Sequence, residues 1–140
     1  MEEQIFHELL AYTASKMDAA FIHQHVVDAY AVQYAREAKK PISVVFGMIG
    51  LYLHCEKNFT GREVQKAHMR LAKRRKNWFS PAIPEGGPTV EINDVLSAEP
   101  GAARDAMIHK WAAAVWETCT NARPEIVELA KTELGVGAGV

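Results

Sequence analysis

The chain has 140 residues, about one domain's worth and long enough to bury a genuine core without disulfide or metal staples. Hydrophobic residues make up 49% and charged residues 24%, which excludes a disordered segment. A net charge of −1 excludes a chain that is basic or acidic throughout, and the two cysteines, Cys55 and Cys119, lack metal-ligand spacing and read as reduced core thiols.

Helix signals then follow one another along the chain. Ile5, Phe6, Leu9, Leu10, Thr13 and Met17 share one side of a helix predicted over residues 2–18. A second is predicted over 20–38 and stops before Lys39-Lys40-Pro41, because proline disfavours helical geometry in the residue before it. A third starts near Ile42 or Ser43 and ends near Asn58. Thr60 and Glu63 have capping-box spacing and open a fourth helix over 61–76. Pro81, Pro84, Gly86, Gly87, Pro88, Pro100 and Gly101 break any long element between 77 and 101, although 90–97 has room for a short helix capped by Thr89. A fifth helix is predicted over 102–121, and Pro124 suits the first turn of a sixth that ends near Leu134. Short connections at 38–42 and 58–61 make helices two, three and four antiparallel neighbours. The expected fold is all-α: a single domain over residues 1–140, an antiparallel bundle of five to six helices with one long Pro/Gly-rich loop. Residues 1–4 carry no signal stretch and the longest apolar run, 42–53, is too short to span a bilayer, so the expected setting is the cytoplasm, away from membranes.

The segment 21–57 holds the candidate chemistry. Its two helices are apolar on nearly every side, yet His25, Asp28, Gln33 and Glu56 fall at inward positions, where an unpartnered polar group costs roughly 1–3 kcal/mol. His25 and Asp28 are three residues apart, a spacing that lets them hydrogen-bond to each other and so orient the helix. The same two groups with Glu56 form a candidate metal set. Two carboxylates and one imidazole match no familiar triad, so a divalent cation is not the favoured reading. Gly47, Gly50 and His54 line a shallow groove, suited to the close approach of another helix or to a ligand with His54 at its rim. On the fifth helix Asp105 and His109 have ion-pair spacing, and the functional reading puts His109 and Trp116 at the lip of the pocket that holds His25. Segment 62–76 has seven basic residues against Glu63. Its other side carries Val64, Ala67 and Leu71, so it is an amphipathic helix with a basic wet face, and it is the one hint of nucleic acid, an unfavoured partner.

The run His25-Val26-Val27-Asp28-Ala29-Tyr30-Ala31-Val32-Gln33-Tyr34 resembles the signature of an uncharacterised bacterial family of small helical proteins. Ser43-Val44 and Leu53-His54-Cys55-Glu56 look like its second block, and Trp111 with Val115-Trp116 is similar to its terminal tryptophan motif. The resemblance covers about residues 21–120 and implies an all-helical fold, but no activity. It carries over His25, Asp28, Tyr30, Gln33, Ser43 and Glu56 as site candidates. Two histidines usual in that family are replaced, by Tyr34 and by Gly47, and the cysteine-rich N-terminal segment of many members is absent. The resemblance therefore implies that a metal site built on those histidines is lost here.

The leading functional reading is a binding module whose pocket holds a small polar ligand or a partner segment, since no nucleophile, phosphate loop or complete metal set is legible. The alternative is a metal-dependent hydrolase or transferase, similar in outline to the DinB-like metalloenzymes, with Asp28 or Glu56 as base. Such enzymes are marked by three histidines gathered by the bundle, a set that the sequence alone does not assemble. A third reading is an oligomeric structural or adaptor protein with the glycine face of helix three as a dimer seam. The sequence leaves open whether any reaction is catalysed.

Overall fold

Local signals and long-range contacts share the work of setting the helix boundaries. The computed structural model describes residues 2–38, 40–74 and 77–136, and among these there are seven α-helices, one 3-10 turn and no strand. The helices are α1 (Glu2–Lys16), α2 (His23–Gln33), α3 (Pro41–Lys57), α4 (Gly61–Arg74), α5 (Ile92–Ser97), α6 (Ala102–Glu117) and α7 (Arg123–Leu134). The count exceeds the expected five to six because α5, six residues inside the Pro/Gly-rich stretch, is a helix in its own right. Its cap is Glu91 paired with Asp94 rather than Thr89.

Helix α2 starts three residues later than its apolar pattern suggests. Phe21 has a φ of 59°, and the Asp18 carboxylate accepts the Ile22 N–H at 3.1 Å, so residues 18–22 turn before the helix begins. It also ends earlier, at Gln33, and the 3-10 turn Ala35–Glu37 takes up the remainder. Helix α3 opens on Pro41 itself, which is pre-organised for the first helical position, and closes on Asn58 in the left-handed region. At α4 the reciprocal cap forms: the Glu63 N–H donates to Thr60 Oγ1 at 3.2 Å, and the Thr60 N–H donates to Glu63 Oε1 at 2.9 Å.

All seven helices send side chains into one apolar core, with Trp111, Leu9, Met48, Ile49, Leu51 and Leu53 among its largest fully buried members. The long central helix α3 is apolar around most of its girth, as an interior helix must be. Against α2 its residues pair in reverse order: Val32 lies against Gly47, Asp28 against Gly50, and His25 against His54. The glycine face of α3 is therefore filled by α2, and it is no dimer seam. The basic face of α4 is exposed at Arg62, Lys66, Arg70, Lys73 and Arg74; Arg75 and Lys76 lie outside the described residues. Two of these cations already have partners in the chain, Arg62 over the Phe21 ring at 4.6 Å and Arg74 on Glu133 at 3.1 Å. No helix among the described residues is long and apolar enough to cross a membrane.

Candidate metal centre

The reverse pairing of α2 with α3 sets His25, near the start of α2, level with His54, near the end of α3. Their rings stack with centroids 3.6 Å apart and planes 21° from parallel. Helix α6 brings His109 to the same spot, its ring 5.0 Å from that of His54 and 5.7 Å from that of His25. Each histidine offers one ring nitrogen such that all three lie within 4.8 Å of one another.

Hydrogen bonding fixes the proton on His54. Its Nδ1 is 3.0 Å from the Phe59 carbonyl, which can only accept, so Nδ1 carries the proton and the Nε2 lone pair points into the cluster. That lone pair lies 3.0 Å from His109 Nδ1. His25 Nδ1 is sealed from solvent and has no hydrogen-bond partner. Burial, reinforced by the neighbouring His54 and His109, lowers the His25 pKa to about 3, and burial likewise lowers that of His54 despite the Phe59 carbonyl. Both rings are thus neutral at pH 7, the form that ligates metal.

The donor set fits a first-row divalent cation. Imidazole nitrogens bind Zn²⁺ at about 2.0–2.1 Å in tetrahedral geometry, which spaces donors about 3.3 Å apart. The His54–His109 pair is already near that spacing at 3.0 Å, and the two edges to His25 are no longer than 4.8 Å. The burial is graded, with His25 buried, His54 half-buried and His109 exposed, so one side of the cluster is open. It opens onto a cleft of about 330 Å³ whose other walls include Ile22, Phe59, Asp18 and Asp105.

The two carboxylates on that wall differ. Asp105 is occupied: Tyr12 Oη donates to its Oδ1 at 2.8 Å and Lys16 Nζ reaches its Oδ2 at 2.8 Å, while Tyr12 Oη in turn accepts the Gly101 N–H at 2.8 Å. Burial alone would raise the Asp105 carboxyl, but these two donors outweigh it and hold it below the usual value. Asp18 uses one oxygen on the Ile22 N–H. Cys55 and Cys119 are pushed by burial up to about 12 and about 11, so neither is a thiolate at neutral pH.

The residues singled out in the sequence are not all brought together. His25, His54 and His109 meet; Asp28 and Glu56 are not in the same cluster. Glu56 instead accepts the Trp116 indole N–H at 2.6 Å and lies 3.8 Å from Arg123, so Trp116 packs away from the cleft rather than at its lip. Gln33 accepts the Trp111 indole N–H at 2.6 Å, a core hydrogen bond. Tyr30 and Ser43 line a separate cavity of about 390 Å³ together with Tyr34, Glu3 and Glu37. Asp18, Phe59 and Thr60, also on the cleft wall, carry no signal in the sequence beyond the cap that Thr60 provides.

Asp28 is the least satisfied of these groups. It is 2% exposed, its Oδ1 accepts only the Gln24 amide at 3.1 Å, and its Oδ2 has no partner. The expected His25–Asp28 hydrogen bond is not made, and each residue keeps an orphaned atom. The niche exists because Gly50 lacks a side chain: a Cβ there would stand 1.9 Å from Asp28 Oδ2. Burial raises the carboxyl well above its ordinary value of 3.8. The folded state therefore binds the proton more tightly than the unfolded one, and stability is lost as pH rises above 3.8 towards the folded value. Asp28→Asn is expected to abolish that part of the slope in the metal-free protein. Urea melts of both proteins between pH 4 and 8 check this, and parallel curves would show that Asp28 is not held neutral.

Residues 3–120 match the family described as a family of unknown function, DUF5946. The chain belongs to DUF5946. No curated protein and no solved structure matches it. In this DUF5946 chain three histidines from α2, α3 and α6 meet at the wall of one cleft.

Proposed function

We propose that this DUF5946 chain is a divalent-metal enzyme, a hydrolase or transferase built on an antiparallel helical bundle, with His25, His54 and His109 as the protein ligands. The observation that carries the reading is the convergence of three ring nitrogens from α2, α3 and α6 within 4.8 Å. Three neutral imidazoles with an open side facing a cleft have the pattern of a catalytic site, whereas structural sites close all four positions. A bound cation supplies Lewis acidity and a water acidic enough to ionise near neutral pH. The chain's own part is to hold the rings in one protonation state, to shape the pocket with Ile22 and Phe59, and to present Asp18 as the carboxylate with an oxygen to spare for a proton. Asp28 and Glu56 do not line this cleft, so the role of base passes from them to Asp18. Elemental analysis of untagged protein grown in zinc-, iron- and manganese-supplemented medium is expected to give close to one transition-metal ion per chain. A content near zero, with no uptake on dialysis against metal, would end the reading.

A second reading, a small-molecule binding module, is favoured by the separate cavity at Tyr30, Tyr34 and Ser43, which has the size of a modest ligand site. It does not compete with the first, because the two cavities share no residue. Thermal-shift screening against a metabolite set tests it, with Ser43→Tyr as the blocking variant whose response should vanish.

A further inference from the structure

Two sealed atoms without partners, His25 Nδ1 and Asp28 Oδ2, stand three residues apart on one helix. Each costs stability as it is, so their joint presence asks for a state of the protein in which they are satisfied. His54 shows what such a state looks like. Its Nδ1–H is held by the Phe59 carbonyl, and this leaves Nε2 for the cluster. Metal-bound histidines almost always have a second partner of this kind, a carbonyl or carboxylate on the nitrogen away from the ion.

We propose that Asp28 is a positioning residue of the metal centre, acting through His25 by accepting the Nδ1–H of that ring while Nε2 faces the ion. The inference rests on the tri-histidine reading above. Four observations support it. His25 lines the cleft, yet its Nδ1 is sealed from solvent, so Nε2 is the nitrogen left for the open side. The i, i+3 spacing on α2 puts the two side chains within mutual reach. Asp28 lies outside the set of atoms that converge within 4.8 Å, as a residue one layer behind the ligands must. The absent side chain of Gly50 keeps room for the carboxylate next to the His25–His54 layer. Neutral imidazole gives its lone pair at Nε2 to the cation, which makes the coordinate bond, and its one N–H to Asp28. The proton that burial favours on the Asp28 carboxyl of the metal-free protein leaves to solvent as the cation binds. The carboxylate then also offsets part of the cation's charge.

The test is cobalt(II) titration of the untagged full chain, followed by visible absorption, for wild type, Asp28→Asn and Asp28→Ala. Asn keeps an acceptor without the charge; Ala keeps neither. Affinity is expected to fall in that order, with Ala about 10–100-fold weaker than wild type and its cobalt spectrum shifted. A role confined to folding would leave the spectrum and the order unmoved. Equal affinity and spectrum in wild type and Ala would overturn the Asp28 role alone, whereas failure of wild type to bind cobalt would overturn the tri-histidine reading with it. Nitrogen NMR of the zinc-loaded wild type gives an answer even if Ala does not fold. His25 is expected to show a protonated, hydrogen-bonded Nδ1 and a metal-bound Nε2, and the reverse assignment would refute the proposal.

Discussion

His109→Ala is expected to weaken divalent-metal binding by at least about 100-fold while leaving the protein folded. A four-ligand structural zinc site is worth about 10–16 kcal/mol, or roughly 3 kcal/mol for each ligand, and 2.7 kcal/mol already corresponds to about a hundredfold. His109 is the exposed member of the set, so its truncation touches little of the core, and surface changes of this kind usually stay within about 0.5 kcal/mol of folding stability. The fold should survive intact. Competition with a chromophoric chelator reads the affinity, and circular dichroism reads the fold. If the variant held its ion as tightly as wild type, His109 would have to leave the ligand set. His25→Ala is the poorer choice, because that ring is buried in the α2–α3 contact and its loss opens a void.

Gly61→Ala is expected to be the most damaging small substitution in the chain. A Cβ at residue 61 would stand 1.7 Å from the Phe21 carbonyl oxygen and 2.7 Å from its carbon. The obstacle is backbone, and that backbone is itself tied down, since the Arg62 N–H donates to the Ala20 carbonyl at 3.0 Å. The collision can be relieved only by moving the start of α4 away from the turn before α2. Overpacking of this kind costs about 3 kcal/mol, which for a domain of this size lowers the melting temperature by roughly 10 °C. The same junction supplies Ala20, Ile22, Phe59 and Thr60 to the cleft wall, so metal affinity should fall alongside stability. A calorimetric scan with an unshifted midpoint would show that the junction yields more easily than the packing suggests.

What was legible in the sequence is what depends on neighbours a few residues away. The Thr60–Glu63 cap, the proline in the first turn of α7 and the helical character of the described residues are all local, and the structure contains them. The start of α2 was not legible, because the turn at 18–22 is held by α4 through the Arg62–Ala20 bond, a contact that no window of sequence contains. The tri-histidine cluster divides in the same way. His25, His54 and His109 each stand out as polar residues on apolar helices, yet helical periodicity assigns a residue to a face and says nothing of its height along the bundle. The metal set His25, Asp28 and Glu56 was drawn from periodicity alone, and it joined two residues that stand apart from the cluster. A usable signal was nonetheless present in the short α2–α3 connection. Folding the chain back about its midpoint pairs residue 32 with 47, 28 with 50 and 25 with 54, which are the contacts observed. The third histidine, His109, 55 residues beyond His54, has no such rule to reveal it.

Helix α1 bears on reactivity as well as on folding. Tyr12 and Lys16 cap both oxygens of Asp105, and Tyr12 also anchors the backbone at Gly101. A chain shortened past residue 16 would lose these donors and uncover a second basic carboxylate beside the histidines. If the cluster binds metal as proposed, such a truncated protein would differ from the intact one in its acid–base profile and in its choice of ion, in addition to being less stable.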